Sequence, residues 1–136
     1  MIPHTHIQSS PLDVSAMREA ARAAKSGAVV VFEGCARDYS EGREVALLSY
    51  EAYEPMALEQ LKKMRQDAMQ RFHLDGCFIH HRLGEVPLAE AAVAIVCSSS
   101  HRRESLTAVT WLLDELKAKV PIWKREHFLD GGAEWG

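Results

Sequence analysis

The residues best equipped for chemistry lie between Ser98 and Glu126. That stretch reads SSSHRRES, then an apolar-periodic run to Lys117, then PIWKRE. His101, Arg102 and Arg103 form a cationic cluster at its start, and Lys117 and Lys124 stand on either side of Pro121 near its end. A helix beginning at the cluster would offer free backbone N–H groups and the positive end of a macrodipole, which suits an anion. A lysine beside other cations and partly desolvated can lose its proton near neutral pH and act in catalysis. The apolar collar Val120-Pro121-Ile122-Trp123 is placed to provide that desolvation. Plainer accounts stand beside these. A lysine in a last helical turn is favoured by the dipole alone, most lysines are exposed and inert, and Trp123 also suits a core or an interface.

A second anion contact is Arg37, which follows an apolar strand at its end, a favoured place for ligand groups. Its planar fork matches phosphate. Equally, Arg37 could pair with Asp38 or Glu41, and the HRR run could be a solvated helix start. Other chemistries find less support. The seven histidines show no HxxxH or HExxH spacing, so no metal site is expected. His80 and His81 are strand neighbours that point to opposite faces, which predicts one packed and hydrogen-bonded ring beside one exposed. There is no GxSxG elbow and no glycine-rich nucleotide cradle. Cys35 at a strand end is more simply a buried thiol than a nucleophile.

The elements that must position these groups follow from periodicity. Asp13 caps a helix over about residues 14–26, with Gly27 as its stop. AVVVFEG, residues 28–34, reads as a buried strand, and residues 35–43 as a loop. A second strand spans Val45 to Tyr53. Pro55 opens a helix over about 55–72, with Leu58, Leu61, Met64, Arg65 and Ala68 at helical spacing. Strands follow at Cys77 to Arg82 and at Ala91 to Ser98. A helix over 101–119 is predicted to bury Leu106, Val109, Leu113, Leu116 and Val120, and Pro121 ends it. Ile122 to Phe128 is extended, and GGAEWG reads as a short tail. Strands alternating with helices indicate an α+β, two-layer sandwich.

The bulk properties bound the answer. A chain of 136 residues is most simply one domain, 1–136. Its net charge of −3 argues against a generic nucleic-acid binder. Three scattered cysteines without a CxxC fit a reducing cytoplasm. The N-terminus has no apolar targeting core and no run is long enough for a bilayer, so no membrane partner is expected.

GAVVVFEGCARD, LSYEAYEPMA, HHRLGEV, SSSHRRES and LKAKVPIWKRE occur in that order over nearly the whole chain. Together they resemble the large, catalytic subunit of molybdopterin synthase, of the molybdenum-cofactor pathway. The resemblance implies an α/β hammerhead-like fold with an added antiparallel β subdomain. It implies conversion of cyclic pyranopterin monophosphate (precursor Z) to molybdopterin by sulfur transfer. The sulfur would come from a thiocarboxylate on the C-terminal Gly-Gly of a small ubiquitin-like subunit. A homodimer within a heterotetramer is implied, and no cofactor or metal. Carried over by motif, Arg37, His101 and Arg102 are anion-binding, Lys117 and Lys124 are the essential lysines, and Arg125 and Glu126 complete the substrate-binding set. Two departures stand out. Cys35 occupies a position that is often basic in the family, and many relatives continue past the tryptophan matching Trp135 with further basic residues. The alternative is a dimeric partner-docking module that keeps the fold without the chemistry. Retention of all five cations favours the enzyme.

Overall fold

In a computed structural model that describes every residue from Met1 to Gly136, the elements assemble around two β-sheets. In chain order they are β1 (Thr5–Gln8), α1 (Val14–Ala21), β2 (Ala28–Cys35), β3 (Tyr39–Ser40), β4 (Arg43–Ala52), α2 (Glu54–Arg71), β5 (Gly76–Arg82), β6 (Gly84–Pro87), β7 (Ala91–Ser99), α3 (Arg102–Lys119), β8 (Ile122–Phe128) and β9 (Ala133–Trp135). The first sheet has the order β1-β5-β7-β2; β1 runs parallel to β5 and the other pairs are antiparallel. The second carries β3, β4, β8 and β9, with β6 also paired to β4. The expected α+β class and its antiparallel subdomain are therefore present.

The two central strands of the first sheet, β5 and β7, are covered on both sides. Side chains alternate along a strand, so Cys77, Ile79 and Ile95 meet α2 and α3, whereas Phe78, Ala94 and Val96 meet Met17 and Ala21 of α1. This double cover corrects the reading of the histidine pair: His80 and His81 are both buried. His80 Nε2 donates to the Pro3 carbonyl at 2.8 Å. β2 also differs from expectation. Its apolar run suggests a buried strand, but it pairs with β7 alone at the sheet edge and leaves Val31 37% exposed.

Helix limits follow local competition. Asp13 Oδ1 caps α1 by accepting from the Ala16 N–H at 3.0 Å. The helix ends at Ala21, not near Gly27, because the next residues turn toward the start of β5. There Ser26 Oγ donates to Asp75 at 2.6 Å and Lys25 pairs with the same carboxylate at 3.6 Å. Gly27 is needed for close approach rather than as a helix stop, since a Cβ there would collide with the Ser100 carbonyl. On α3 the buried stripe is Ser105, Ala108, Val109 and Leu112, while Leu106 is 52% exposed. Small side chains let the helix sit close to the sheet, and Ser105 Oγ hydrogen-bonds Ser99 Oγ at 2.5 Å. Of the predicted stripe, Val109 and Val120 are buried and Leu113 and Leu116 pack partly buried against the same core, so Leu106 alone falls outside it.

The second sheet is longer than its sequence signal. The loop expected over 35–43 contains a two-residue hairpin with Glu41 and Gly42 both at positive φ, the geometry that matches strand twist. The expected tail is also a strand: β9 pairs with β8, Trp135 opposite Arg125 and Glu134 opposite Glu126. Arg43 anchors that hairpin. Its guanidinium donates to Asp130 at 2.9 Å, pairs with Glu134 at 3.3 Å and stacks 3.6 Å above the Phe128 ring. No helix is long and apolar enough to cross a membrane.

Candidate active site

A cavity of about 570 Å³ opens where the two sheets and the end of α3 meet. Each wall follows from an element already described. The last turns of α3 bring Leu113, Leu116 and Lys117. Pro121 breaks the helix, and β8 then turns back with Ile122, Lys124 and Glu126 on the cavity side. Strand alternation places Trp123, Arg125 and His127 on the other face. Opposite β8, the antiparallel register sets Tyr50 of β4 across from Lys124 and Leu48 across from Glu126. The bulge after Gly34 ends β2 and leaves Cys35 and Arg37 at the rim. His81 of β5 completes the lining together with Phe32 and Val93.

The structure therefore brings together Arg37, Lys117, Lys124 and Glu126. None of the chain's ion pairs involves these residues, so the suggested Arg37 pairing with Asp38 or Glu41 is not formed. Three unpaired cations facing one cavity make a receptor for anionic groups. Gly136 closes over it: its N–H donates to the Lys124 carbonyl at 2.8 Å. A Cβ at that position would stand 3.1 Å from Lys124 Cε and 3.3 Å from Glu126 Oε1.

The other expected residues lie elsewhere in the same chain. His101 and Arg102 are exposed at the opposite end of α3, about 22 Å from Lys117 at the usual helical rise. His101 sits at the N-cap position without a side-chain bond to the helix, so its imidazole is free of capping duty. Arg125 points away from the cavity, its guanidinium 5.4 Å from the centre of the Trp135 ring. Trp123 lies beside Trp135, Glu51 and Lys124 in an adjoining cleft of about 260 Å³.

Two lining residues, Tyr50 and His81, are absent from the sequence-derived set. Burial, followed by the Glu126 charge, raises the Tyr50 phenol above its ordinary pKa. Burial lowers the His81 imidazole, an effect partly opposed by its bond to the Arg82 carbonyl. Their rings meet edge-on with centroids 5.0 Å apart. Cys35 is exposed at the rim rather than buried as expected; partial desolvation, then the Glu33 charge, still raises its thiol and makes it a poor nucleophile. The signal for Tyr50 and His81 lies inside LSYEAYEPMA and HHRLGEV, but only register sets Tyr50 across from Lys124, and only the assembled cavity brings His81 to the same space. No group of three or more His, Cys, Asp or Glu side chains is arranged to hold a metal ion.

Known proteins resemble this chain in sequence and in fold. The family model described as MoaE protein matches residues 7–119. A molybdopterin synthase catalytic subunit from Culex quinquefasciatus is 46% identical over 127 residues, covering 91% of this chain and 81% of that protein. The crystal structure of molybdopterin synthase from Staphylococcus aureus superposes with a TM-score of 0.93 at 32% identity, covering 100% of this chain and 98% of the other. A chain from a Helicobacter pylori complex of subunits 1 and 2 of molybdopterin-converting factor shares the fold. Its TM-score is 0.78 at 23% identity, with 94% and 87% of the two chains covered. By sequence and by fold, the chain belongs to the MoaE family, the catalytic subunits of molybdopterin synthase, enzymes of molybdenum-cofactor biosynthesis.

Proposed function

We propose that this chain converts cyclic pyranopterin monophosphate to molybdopterin, taking sulfur from the C-terminal thiocarboxylate of a small ubiquitin-like subunit. The observation that carries this reading is the convergence of Lys117 from α3 and Lys124 from β8 on one cavity with Arg37 at its rim. A phosphorylated substrate and a thiocarboxylate both bring negative charge, and three cations without internal partners can receive them. Lys117 and Lys124 stabilise the oxyanion that forms at the thiocarboxylate carbon and donate protons to leaving groups. Glu126 lines the same cavity without an ion pair to either lysine and adds one negative charge to it.

The partner's Gly-Gly tail enters along Pro121, Ile122 and Trp123. Glycine lets a backbone pass a narrow opening without side-chain clash, and the exposed Trp123 offers an apolar wall beside Lys124. His101 and Arg102 contribute a phosphate contact through the homodimer. The length of α3 prevents them from sharing a ligand with Lys117 of their own chain. A second copy, with its helix start at the cavity mouth, removes that obstacle. Arg125 takes no direct part and braces β9 through Trp135.

The deciding experiment is incubation of the purified chain with precursor Z and a thiocarboxylated small subunit, followed by detection of the dithiolene product. Product formation supports sulfur transfer. Stable partner binding without product supports a docking module that lacks the chemistry.

A further inference from the structure

We propose that His81 is a further catalytic residue, its Nε2 accepting a proton from the water that hydrolyses the thioester between partner and substrate. The inference rests on the sulfur-transfer reading above. It starts from a buried group with one nitrogen committed and one open. His81 is 3% exposed, yet it lines the cavity. Its Nδ1–H donates to the Arg82 carbonyl at 2.8 Å. A carbonyl only accepts, so this bond holds the proton on Nδ1 and leaves the Nε2 lone pair bare in the neutral ring. Nε2 makes no hydrogen bond within the chain and is not among the side-chain atoms sealed off without a partner. It is left facing the cavity.

The cavity needs such an acceptor. Arg37, Lys117 and Lys124 offer N–H donors, and a protonated amine or guanidinium cannot take up a proton. The remaining titratable groups facing His81 are Tyr50, Glu126 and Cys35. Burial raises the Tyr50 phenol, partial desolvation and the Glu33 charge raise the thiol of the otherwise exposed Cys35, and carboxylates are in general weaker proton acceptors than imidazoles. Burial also keeps His81 uncharged at neutral pH, ready to accept. Once protonated, it lies beside the Tyr50 ring, with the Glu126 charge in the same cavity to offset its own.

In the step, the water oxygen bonds to the thioester carbon and the acyl carbon–sulfur bond breaks. Its electron pair leaves with the substrate sulfur as a thiolate. One water proton passes to Nε2 and then to solvent. The other departs as the partner's new carboxylic acid ionises. No oxidant or reductant is consumed.

The test mixes the full chain with precursor Z and thiocarboxylated small subunit and follows the covalent partner–substrate adduct by intact mass. His81→Asn keeps an amide N–H near the Nδ1 position and removes Nε2. Adduct should form at the wild-type pace and then hydrolyse about 100-fold more slowly or worse. Wild-type hydrolysis should rise with pH through a midpoint below 6.5, the ordinary value that burial lowers, and match the His81 titration seen by ¹⁵N NMR. His81→Asn should lack that inflection. Near-wild-type hydrolysis with the inflection retained overturns the assignment. Should the variant not fold, a wild-type profile with no inflection at the His81 midpoint overturns it just as well. If the wild-type chain forms no adduct, the sulfur-transfer reading fails and this inference fails with it.

Discussion

The two ends of α3 carry the same kind of charge and have different surroundings. At its start, His101, Arg102 and Arg103 project into solvent from a single element. At its end, Lys117 meets β8, β4, β5 and the rim of β2 around one cavity. In sequence the first cluster is denser and looks the stronger site. Density along the chain is a poor guide, because a site needs side chains from several elements to converge on one space. A cation pointing into bulk solvent is screened within about 10 Å at ordinary ionic strength. Lys117 is exposed as well; what sets this end apart is that half-buried Lys124, Glu126 and Tyr50 and buried His81 face the same cavity.

The largest test of this contrast is chemical. Lys117→Arg and Lys124→Arg keep the charge but form a guanidinium that does not readily give up a proton. Both variants should fold and bind the partner, and single-turnover product formation should fall roughly 10²–10⁴-fold. Near-wild-type rates in both would remove proton transfer by lysine from the mechanism.

The next effect belongs to the helix between its ends. Leu112 is fully buried and Leu106 is half exposed. In urea unfolding, Leu112→Ala should cost about 2–5 kcal/mol, and Leu106→Ala should stay within roughly 0.5 kcal/mol. Equal losses would mean that the helix is rotated from the orientation described here.

At the exposed end, Arg102→Ala should weaken substrate binding about ten-fold or more in calorimetry, since one charge-assisted hydrogen bond is worth roughly 1.5–3 kcal/mol. Unchanged affinity would withdraw Arg102 from phosphate binding. Mixing Arg102→Ala with Lys117→Arg should restore about a quarter of wild-type activity if each cavity draws on both copies, because half of randomly paired dimers then hold one intact site. No recovery would confine the site to one chain.

The smallest effect is spectroscopic. Glu126→Gln removes one of the two causes that raise the Tyr50 phenol, so its titration should move down toward the ordinary value in ultraviolet absorbance. Arg102→Gln should leave that titration where it is. A Tyr50 shift from Arg102→Gln would show that the two ends of α3 are electrically coupled after all.

Most of the framework is legible in the sequence wherever one segment carries its own period. The apolar runs at β5 and β7, the helical spacing of α2 and the Pro121 break all announce themselves locally. What is not legible depends on distant partners. β1 and β6 are four residues each and gain identity only from pairing with β5 and β4. β9 hides in a glycine-containing tail because its three residues carry no period of their own and the Arg43 that anchors its hairpin lies far back in the chain. Leu106 misleads because size ranks it above Ser105 and Ala108, although close packing selects the smaller pair. The same division runs through the site. Lys117 and Lys124 stand out beside Pro121, whereas Tyr50 becomes a site residue only through register with distant Lys124, and His81 only when several elements close around one cavity.

That register also sets when the site can exist during folding. Tyr50 stands opposite Lys124 although roughly seventy residues separate them, and β2 pairs with β7 across a similar gap. Closing such loops spends chain entropy before any contact rewards it, so folding dominated by distant pairings runs on the millisecond-to-second scale. The lysine-bearing helix and strand are neighbours in the chain and can form early, but the wall that faces them arrives only when β4 docks. A nascent chain released from the ribosome before that docking would carry both lysines and no cavity to use them.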